Sequence, residues 1–224
     1  MLRGKFSVEK ARGLQLRLAA RVIREDMLPK TLHYVAGVDV SYLGKWAFGA
    51  VSLLDYSSLA LVEARKAEVK TAFPYIPTLL SFRELRPSLA AIRKLKTQPD
   101  VFMVDAQGIA HPYRLGFASH LGVFLDKPTI GVAKSLLCGR IQPKNKARWP
   151  PIIDKGEIIG AGLRRNKDEK PIYVSIGHKV TLERAIKVVE HCRRMDRLPE
   201  PIRIAHALAT DERKRHKQEI TRES

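Results

Sequence analysis

Residues 101–122, VFMVDAQGIAHPYRLGFASHLG, constrain the fold more than any other part of the 224-residue chain. Four consecutive apolar residues, Val101 to Val104, describe a strand buried on both faces, as occurs inside a parallel or mixed sheet. That strand ends in Asp105 and enters a turn holding Gln107 and Gly108. Open α/β sheets bind their ligands at the carboxyl ends of strands, so an acid there is placed for chemistry. His111 and His120 follow within a segment of small residues that allow a backbone or a substrate to come close. The same residues also describe a plain strand and a helix with Asp105 as its N-cap. Residue type alone leaves both readings open.

The charge balance narrows the class of partner. Lys and Arg number 41 against 23 acids, a formal net charge of +18. Such an excess sets up a positive field that draws polyanions, and nucleic acid is the usual one. The densest internal excess runs from Lys134 to Lys170, with ten basic residues against four acidic ones. A solvated, charge-rich surface explains many charges but not their one-sided sign. The length is that of one domain with its own core, 1–224, ending in a charged, frayed tail at 211–224. Two cysteines, Cys138 and Cys192, do not describe a disulfide framework, so a reducing cytosol is the plain reading and a cytoplasmic location is expected. The charged start carries no continuous apolar core, and no later run reaches membrane-spanning length.

Taken in order, residues 7–27 show an amphipathic helix, with Phe6, Ala11, Leu14, Leu18 and Val22 as its apolar positions. Residues 33–42, 46–54 and 59–69 read as three strands joined by short turns, the first and third alternating in character, an antiparallel meander. In the loop that follows, Pro74-Tyr75-Ile76-Pro77, the prolines fix φ on either side of Tyr75 and present its ring stiffly. A helix is expected over 78–96 with Glu84 beside its apolar seam, and a buried strand over 127–133 ending at Lys134. A hairpin over 157–163 and 171–176 precedes a helix over 181–193, N-capped by Thr181. The last helix runs from Ile202 to about Lys214.

The chemistry must come from carboxylates. Asp39, Glu84 and Asp105 lie near apolar seams on regular elements, and hard oxygen ligands on rigid elements are what Mg2+ requires. Two such ions can flank a scissile phosphate. His206 shares a helical face with Ile202, Ala205 and Ala209, which equally describes a core histidine. No spacing rule brings these four residues together. The chain has no Walker A sequence, no dinucleotide glycine fingerprint and no zinc-type cysteine pairing.

Several blocks in fixed order resemble the endonuclease V (deoxyinosine 3′ endonuclease) family. They are Ala36-Gly-Val-Asp39-Val-Ser-Tyr42, Pro74-Tyr-Ile-Pro77 with Phe82-Arg-Glu84, the stretch through Gly122, Pro128-Thr-Ile-Gly-Val-Ala-Lys134-Ser, and Leu198-Pro-Glu-Pro201 with His206. The resemblance implies an α/β, ribonuclease H-like mixed sheet: a three-strand antiparallel meander plus parallel strands, flanked by helices. It implies that Asp39 and Asp105 hold a catalytic Mg2+, for which Mn2+ substitutes, with Glu84 completing the acidic cluster. His206 would assist at a second metal or the attacking water, and Lys134 would sit near the scissile phosphate.

Pro74, Tyr75, Ile76 and Pro77 match the family's wedge, which fills the space of an extruded base. Gly108, His111, Gly116, His120 and Gly122 lie in segments the family uses to build a hypoxanthine pocket. Three positions depart from its pattern: Thr78 and Ala106 stand where relatives carry glycine, and Leu85-Arg86-Pro87 is bulkier. The implied activity is a Mg2+-dependent nick at the second phosphodiester bond 3′ to deoxyinosine in DNA, leaving 3′-hydroxyl and 5′-phosphate ends. An inosine-specific ribonuclease acting on RNA and a non-catalytic nucleic-acid-binding module are the alternatives. No membrane partner is expected, and the protein is expected to be a monomer.

Overall fold

The computed structural model describes residues 7–71, 73–142 and 148–223. Its meander consists of β1 (Tyr34–Leu43), β2 (Trp46–Asp55) and β3 (Leu61–Lys70), paired antiparallel throughout. β4 (Val101–Val104) and β5 (Thr129–Ala133) then add in parallel beside β1. Both are buried along their whole length, as their unbroken apolar sequence requires. β6 (Arg140–Ile141), β7 (Pro151–Asp154), β8 (Glu157–Leu163) and β9 (Ile172–His178) complete the sheet. The order across it is β3-β2-β1-β4-β5-β9-β8-β7-β6. This is the expected mixed α/β sheet. β6 and β7 were not expected: two and four residues are too short to show a period and are defined by pairing alone.

Among the described residues, five helices flank the sheet: α1 (Val8–Ala19), α2 (Leu80–Ile92), α3 (Phe117–Leu125), α4 (Leu182–His191) and α5 (Glu200–Glu223). Thr181 caps α4 as expected, its hydroxyl accepting from the Arg184 N–H at 3.3 Å. α1 ends earlier than its sequence pattern suggested, and the face it buries is only partly the expected one. Gln15 is fully buried while Leu14 and Leu16 are exposed; Phe6 lies outside the described residues. The helix packs against α3, with Ala11 and Leu18 half-buried.

The frayed tail expected at 211–224 is corrected by α5, which continues as helix to Glu223. Glu212 is buried and bonds both Lys66 of β3 and Arg215. One turn on, the His216 ring packs at 4.9 Å from Trp46 and 5.3 Å from Phe48. Cross-sheet anchors and i, i+3 pairs extend a helix whose charged sequence shows no apolar stripe.

One contact sets where α5 lies. A Cβ at Gly37 of β1 would sit 2.0 Å from the Pro201 carbonyl oxygen, so only glycine lets the start of α5 approach the sheet here. From the next strand, the Ser52 hydroxyl donates to that same carbonyl at 2.7 Å. Seated this way, α5 carries His206 over β1. Among the described residues no helix is long and apolar enough to cross a membrane, and both cysteines are free.

Candidate active site

Parallel pairing sets the carboxyl end of β4 beside the middle of β1, Val104 against Val38, and the Asp105 N–H continues the ladder by donating to the Val38 carbonyl at 3.0 Å. Asp39 and Asp105 are therefore neighbours. From α5, His206 Nδ1 lies 2.7 Å from Asp39 Oδ2 and 3.9 Å from Asp105 Oδ2. One ligand atom from each of these three residues falls within 4.8 Å of the others. Lys134, just past β5, bonds Asp105 Oδ2 at 2.5 Å. Glu84 reaches the same place from α2. Asp105 does not cap a helix: α3 begins at Phe117 with Gly116 at its N-cap.

The electrostatics fit a cation-binding cluster. Burial, and then the charge of Asp105, push the Asp39 carboxyl up to about 6, with His206 pulling the other way. Glu84 is raised well above its ordinary value, first by burial and then by Asp39 and Asp105. Its buried Oε2 has no hydrogen-bond partner among the described residues. A buried carboxylate oxygen without a donor, beside two more carboxylates, is costly unless a cation neutralises it. The donor set is hard oxygen plus one imidazole, which suits Mg2+ or Mn2+. The ligand atoms that meet within 4.8 Å come from Asp39, Asp105 and His206; Glu84 stands outside that group and couples to both aspartates by charge.

Beside the acids opens a cavity of about 320 Å³. Its lining includes Tyr75, Pro77, Thr78, Glu84, Asp105, Gln107, His111, Gly116 and Lys134. A volume near 300 Å³ is at the small end for ligand pockets, compatible with a single base. Tyr75 projects from the rim, 67% exposed. Pro74 is exposed and Ile76 half-buried, neither in the cavity wall.

Of the five expected pocket residues, the structure brings His111 and Gly116 to the wall and sets three behind it. The Gly108 N–H donates to Ser175 Oγ at 2.9 Å, and its carbonyl accepts from the Gly116 N–H at 2.9 Å, tightening the turn. His120 bonds Ser81 Oγ at 3.1 Å and meets the Phe82 ring edge-on. Gly122 lies against Thr129 and His178, where a Cβ would be 2.2 Å from Thr129 Oγ1. His111 itself is pushed down to about 4 by burial, then by the charge of Arg12, so its ring is neutral at ordinary pH.

The strongest unexpected element is a strap from α1. Thr78 has φ of +67°, the left-handed conformation that a glycine adopts freely and a β-branched residue resists. Gln15 Nε2 donates to the Thr78 carbonyl at 2.8 Å and to the Leu115 carbonyl at 3.1 Å, and Arg12 Nη2 donates to Thr78 Oγ1 at 2.8 Å. The Arg12 guanidinium also lies 3.7 Å over the Tyr113 ring. These bonds hold the loop carrying Tyr75 to the segment carrying His111. The sequence offered no cue to this beyond a polar residue within an amphipathic helix.

Comparison with known proteins follows the same outline. A family model described as Endonuclease V matches residues 16–207. The chain belongs to the endonuclease V family. It is 50% identical over 209 residues to an endonuclease V of Rippkaea orientalis, spanning 92% of this chain and 91% of that one. The crystal structure of endonuclease V from Streptomyces avermitilis superposes with a TM-score of 0.88 at 35% identity, covering 94% of this chain and 95% of the other. Endonuclease V from Ciona intestinalis, solved in complex with a 24mer DNA containing an inosine followed by a ribo-adenosine, gives 0.85 at 33% identity, covering 93% and 98%. Family membership makes this chain a nuclease, and the resemblance seen in its sequence motifs is confirmed.

The buried carboxylate of Glu84 generates a prediction for the protein in EDTA. Near pH 4 it is protonated in both folded and unfolded chains and contributes no pH dependence. As pH rises above its ordinary value of 4.5, the unfolded chain loses that proton first and folded stability falls. Glu84→Gln removes the ionisation, so in EDTA the variant should match the wild type near pH 4 and melt several degrees higher at pH 8. A wild type at least as stable as the variant at pH 8 would show that the carboxylate is not under strain.

Proposed function

We propose that the protein is a Mg2+-dependent endonuclease that recognises deoxyinosine in DNA and hydrolyses the second phosphodiester bond 3′ to it, leaving 3′-hydroxyl and 5′-phosphate ends. The observation that carries this reading is the convergence of Asp39, Asp105 and His206 within 4.8 Å, beside a base-sized cavity, in a member of this family. Asp39 and Asp105 would hold the ion, with Glu84 completing the negative charge around it. Bound there, Mg2+ would offset charge on the phosphoryl oxygens and make water a better nucleophile.

The remaining work falls to side chains. With Asp39 ionised, its carboxylate can only accept, so His206 Nδ1 carries the proton and Nε2 is left as a base. Nε2 would then take a proton from the water that attacks phosphorus. The new bond joins the water oxygen to phosphorus, the P–O3′ bond breaks, and the leaving O3′ gains a proton. Lys134, held to Asp105, puts positive charge where the phosphoryl oxygens gain negative charge.

Recognition would begin with Tyr75. Its exposed ring, stiffened by Pro74 and Pro77, can enter the duplex and offset the few kcal/mol of unstacking, about 2–3, that base extrusion costs. The extruded base would occupy the cavity against His111 and Gly116. Hypoxanthine differs from adenine by a carbonyl at position 6 and a proton at N1, so a wall that donates to that carbonyl would favour it.

A second reading, cleavage of inosine-containing RNA, draws support from the Ciona intestinalis relative, whose bound DNA carries a ribo-adenosine directly after the inosine. A 2′-hydroxyl at that position is accommodated by that protein. DNA and RNA strands of one sequence, each with a single inosine, distinguish the two substrates.

Asp105→Asn should lower cleavage of a deoxyinosine oligonucleotide in Mg2+ by more than about 100-fold, beyond the cost of losing an outer hydrogen-bond partner of a metal site. Binding to the same oligonucleotide should be largely kept, because the cavity is unchanged. Cleavage near the wild-type rate would remove Asp105 from the chemistry. Tyr75→Ala should weaken binding to inosine-containing duplex by about tenfold or more, the scale of one aromatic stacking contact. The loss should be smaller for inosine in a single strand, which has less stacking to replace; equal losses would contradict a wedge.

A further inference from the structure

A second cavity, of about 480 Å³, is lined by Arg148, Trp149, Arg164, Arg165, Glu190 and Arg193. Four guanidinium groups face one carboxylate there. Two of them are already engaged: Arg165 and Arg193 both bond Glu169, at 2.9 Å and 2.7 Å. The other two are not. Arg164 makes no hydrogen bond or ion pair among the described residues, and Arg148 is 74% exposed with only a 3.4 Å contact to Glu190. Trp149 orients Arg148 without neutralising it. The indole is fixed by its N–H donating to Glu190 at 2.9 Å, and the Arg148 guanidinium lies 5.1 Å from the ring centroid. Two weakly paired guanidinium groups lining one cavity, one of them oriented by Trp149, suit a phosphate, which guanidinium binds in bidentate fashion.

The position of this cavity identifies whose phosphate it would take. Ala133 pairs with Tyr173 on β9, and Tyr173 with Gly162 on β8. Arg164 follows the end of β8, so it lies two strands from Lys134 along the same edge of the sheet, roughly 10 Å at about 4.8 Å per strand. Arg197 bridges the interval, donating from Nη2 to the Lys134 carbonyl at 2.7 Å and the Pro171 carbonyl at 2.6 Å, and from Nε to the Lys170 carbonyl at 3.1 Å. The edge between the two sites is thus rigid and basic.

We propose that Arg148 and Arg164 form a separate phosphodiester subsite that grips the backbone of the same nucleic acid strand, a few nucleotides from the bond being cleaved. The proposal rests on the nuclease reading of the acidic cluster, and the subsite acts on affinity, not on the chemical step. It requires a substrate long enough to reach from one site to the other.

The test is Arg148→Gln/Arg164→Gln, a double variant at exposed positions outside the catalytic cluster, with an unchanged melting temperature as the folding control. Binding is followed by fluorescence anisotropy over a range of salt, using three inosine-containing strands: one with long flanks, and two cut short on one side or the other. The same strands are assayed for single-turnover cleavage in Mg2+.

The expected result is several-fold weaker binding of the long strand, with a salt slope smaller by about 1.4, two contacts at about 0.7 each for a single strand. One of the shortened strands should bind the variant and wild type equally, and maximal cleavage rates should be unchanged. Equal binding by variant and wild type on all three strands, or equal weakening on all three, would overturn the subsite. Wild-type protein that cuts none of the strands would instead contradict the nuclease reading, leaving anisotropy to decide the subsite alone.

Discussion

The parallel pairing of β1 with β4 is the constraint from which the rest of this site follows. It forces Asp39 and Asp105 into adjacency at one end of the sheet, where burial and mutual repulsion oppose their ionisation. No chain gains stability from that arrangement. It persists because both faces of β4 are buried, and slipping by one residue would exchange Val101 and Met103 with Phe102 and Val104 between two differently shaped cores. The acidic cluster is therefore held by the core rather than by its own contacts, and two side chains close on it: Lys134 on Asp105, and His206 on Asp39.

Reaching those positions takes long-range packing of two kinds. His206 is delivered by α5, whose approach depends on Gly37 having no side chain and on Ser52 bonding the Pro201 carbonyl. The cavity beside the acids is shaped by the α1 strap, which holds Thr78 in a left-handed conformation costing on the order of 1–2 kcal/mol for a residue with a Cβ. The buried Gln15 amide ties that residue to the Leu115 carbonyl, so the wedge loop and the cavity wall move as a unit. Thr78 adopts the backbone conformation a glycine would take, and the strap holds it there.

Much of the fold was legible in local sequence. Alternation in residues 33–42 and 59–69 around an apolar run at 46–54 marked the meander, and four unbroken apolar residues marked β4, because each pattern is imposed by which faces are buried. Other parts depend on partners distant in sequence and left no local trace. Residues 211–223 carry only charges and polar groups along most of their length, yet are helical because Glu212 and His216 find anchors on β2 and β3. α1 keeps Ala11 and Leu18 half-buried as expected but buries Gln15 beside them, which had carbonyls to bind, while Leu14 is exposed. The acids of the site could be nominated individually, but their convergence with His206 became visible only with strand order in place. His120 and Gly122 looked like cavity residues and proved to be packing residues, since small and polar side chains serve close approach in both settings.

The account stands on a divalent cation bound between Asp39 and Asp105. Its most direct test is anomalous diffraction from crystals of the protein grown with Mn2+, collected on either side of the manganese absorption edge. The account predicts one anomalous peak at bonding distance from both carboxylates, on the side that Glu84 and His206 face. A well-ordered site with Asp39 and Asp105 in place and no peak between them, at Mn2+ concentrations that support cleavage, would contradict it.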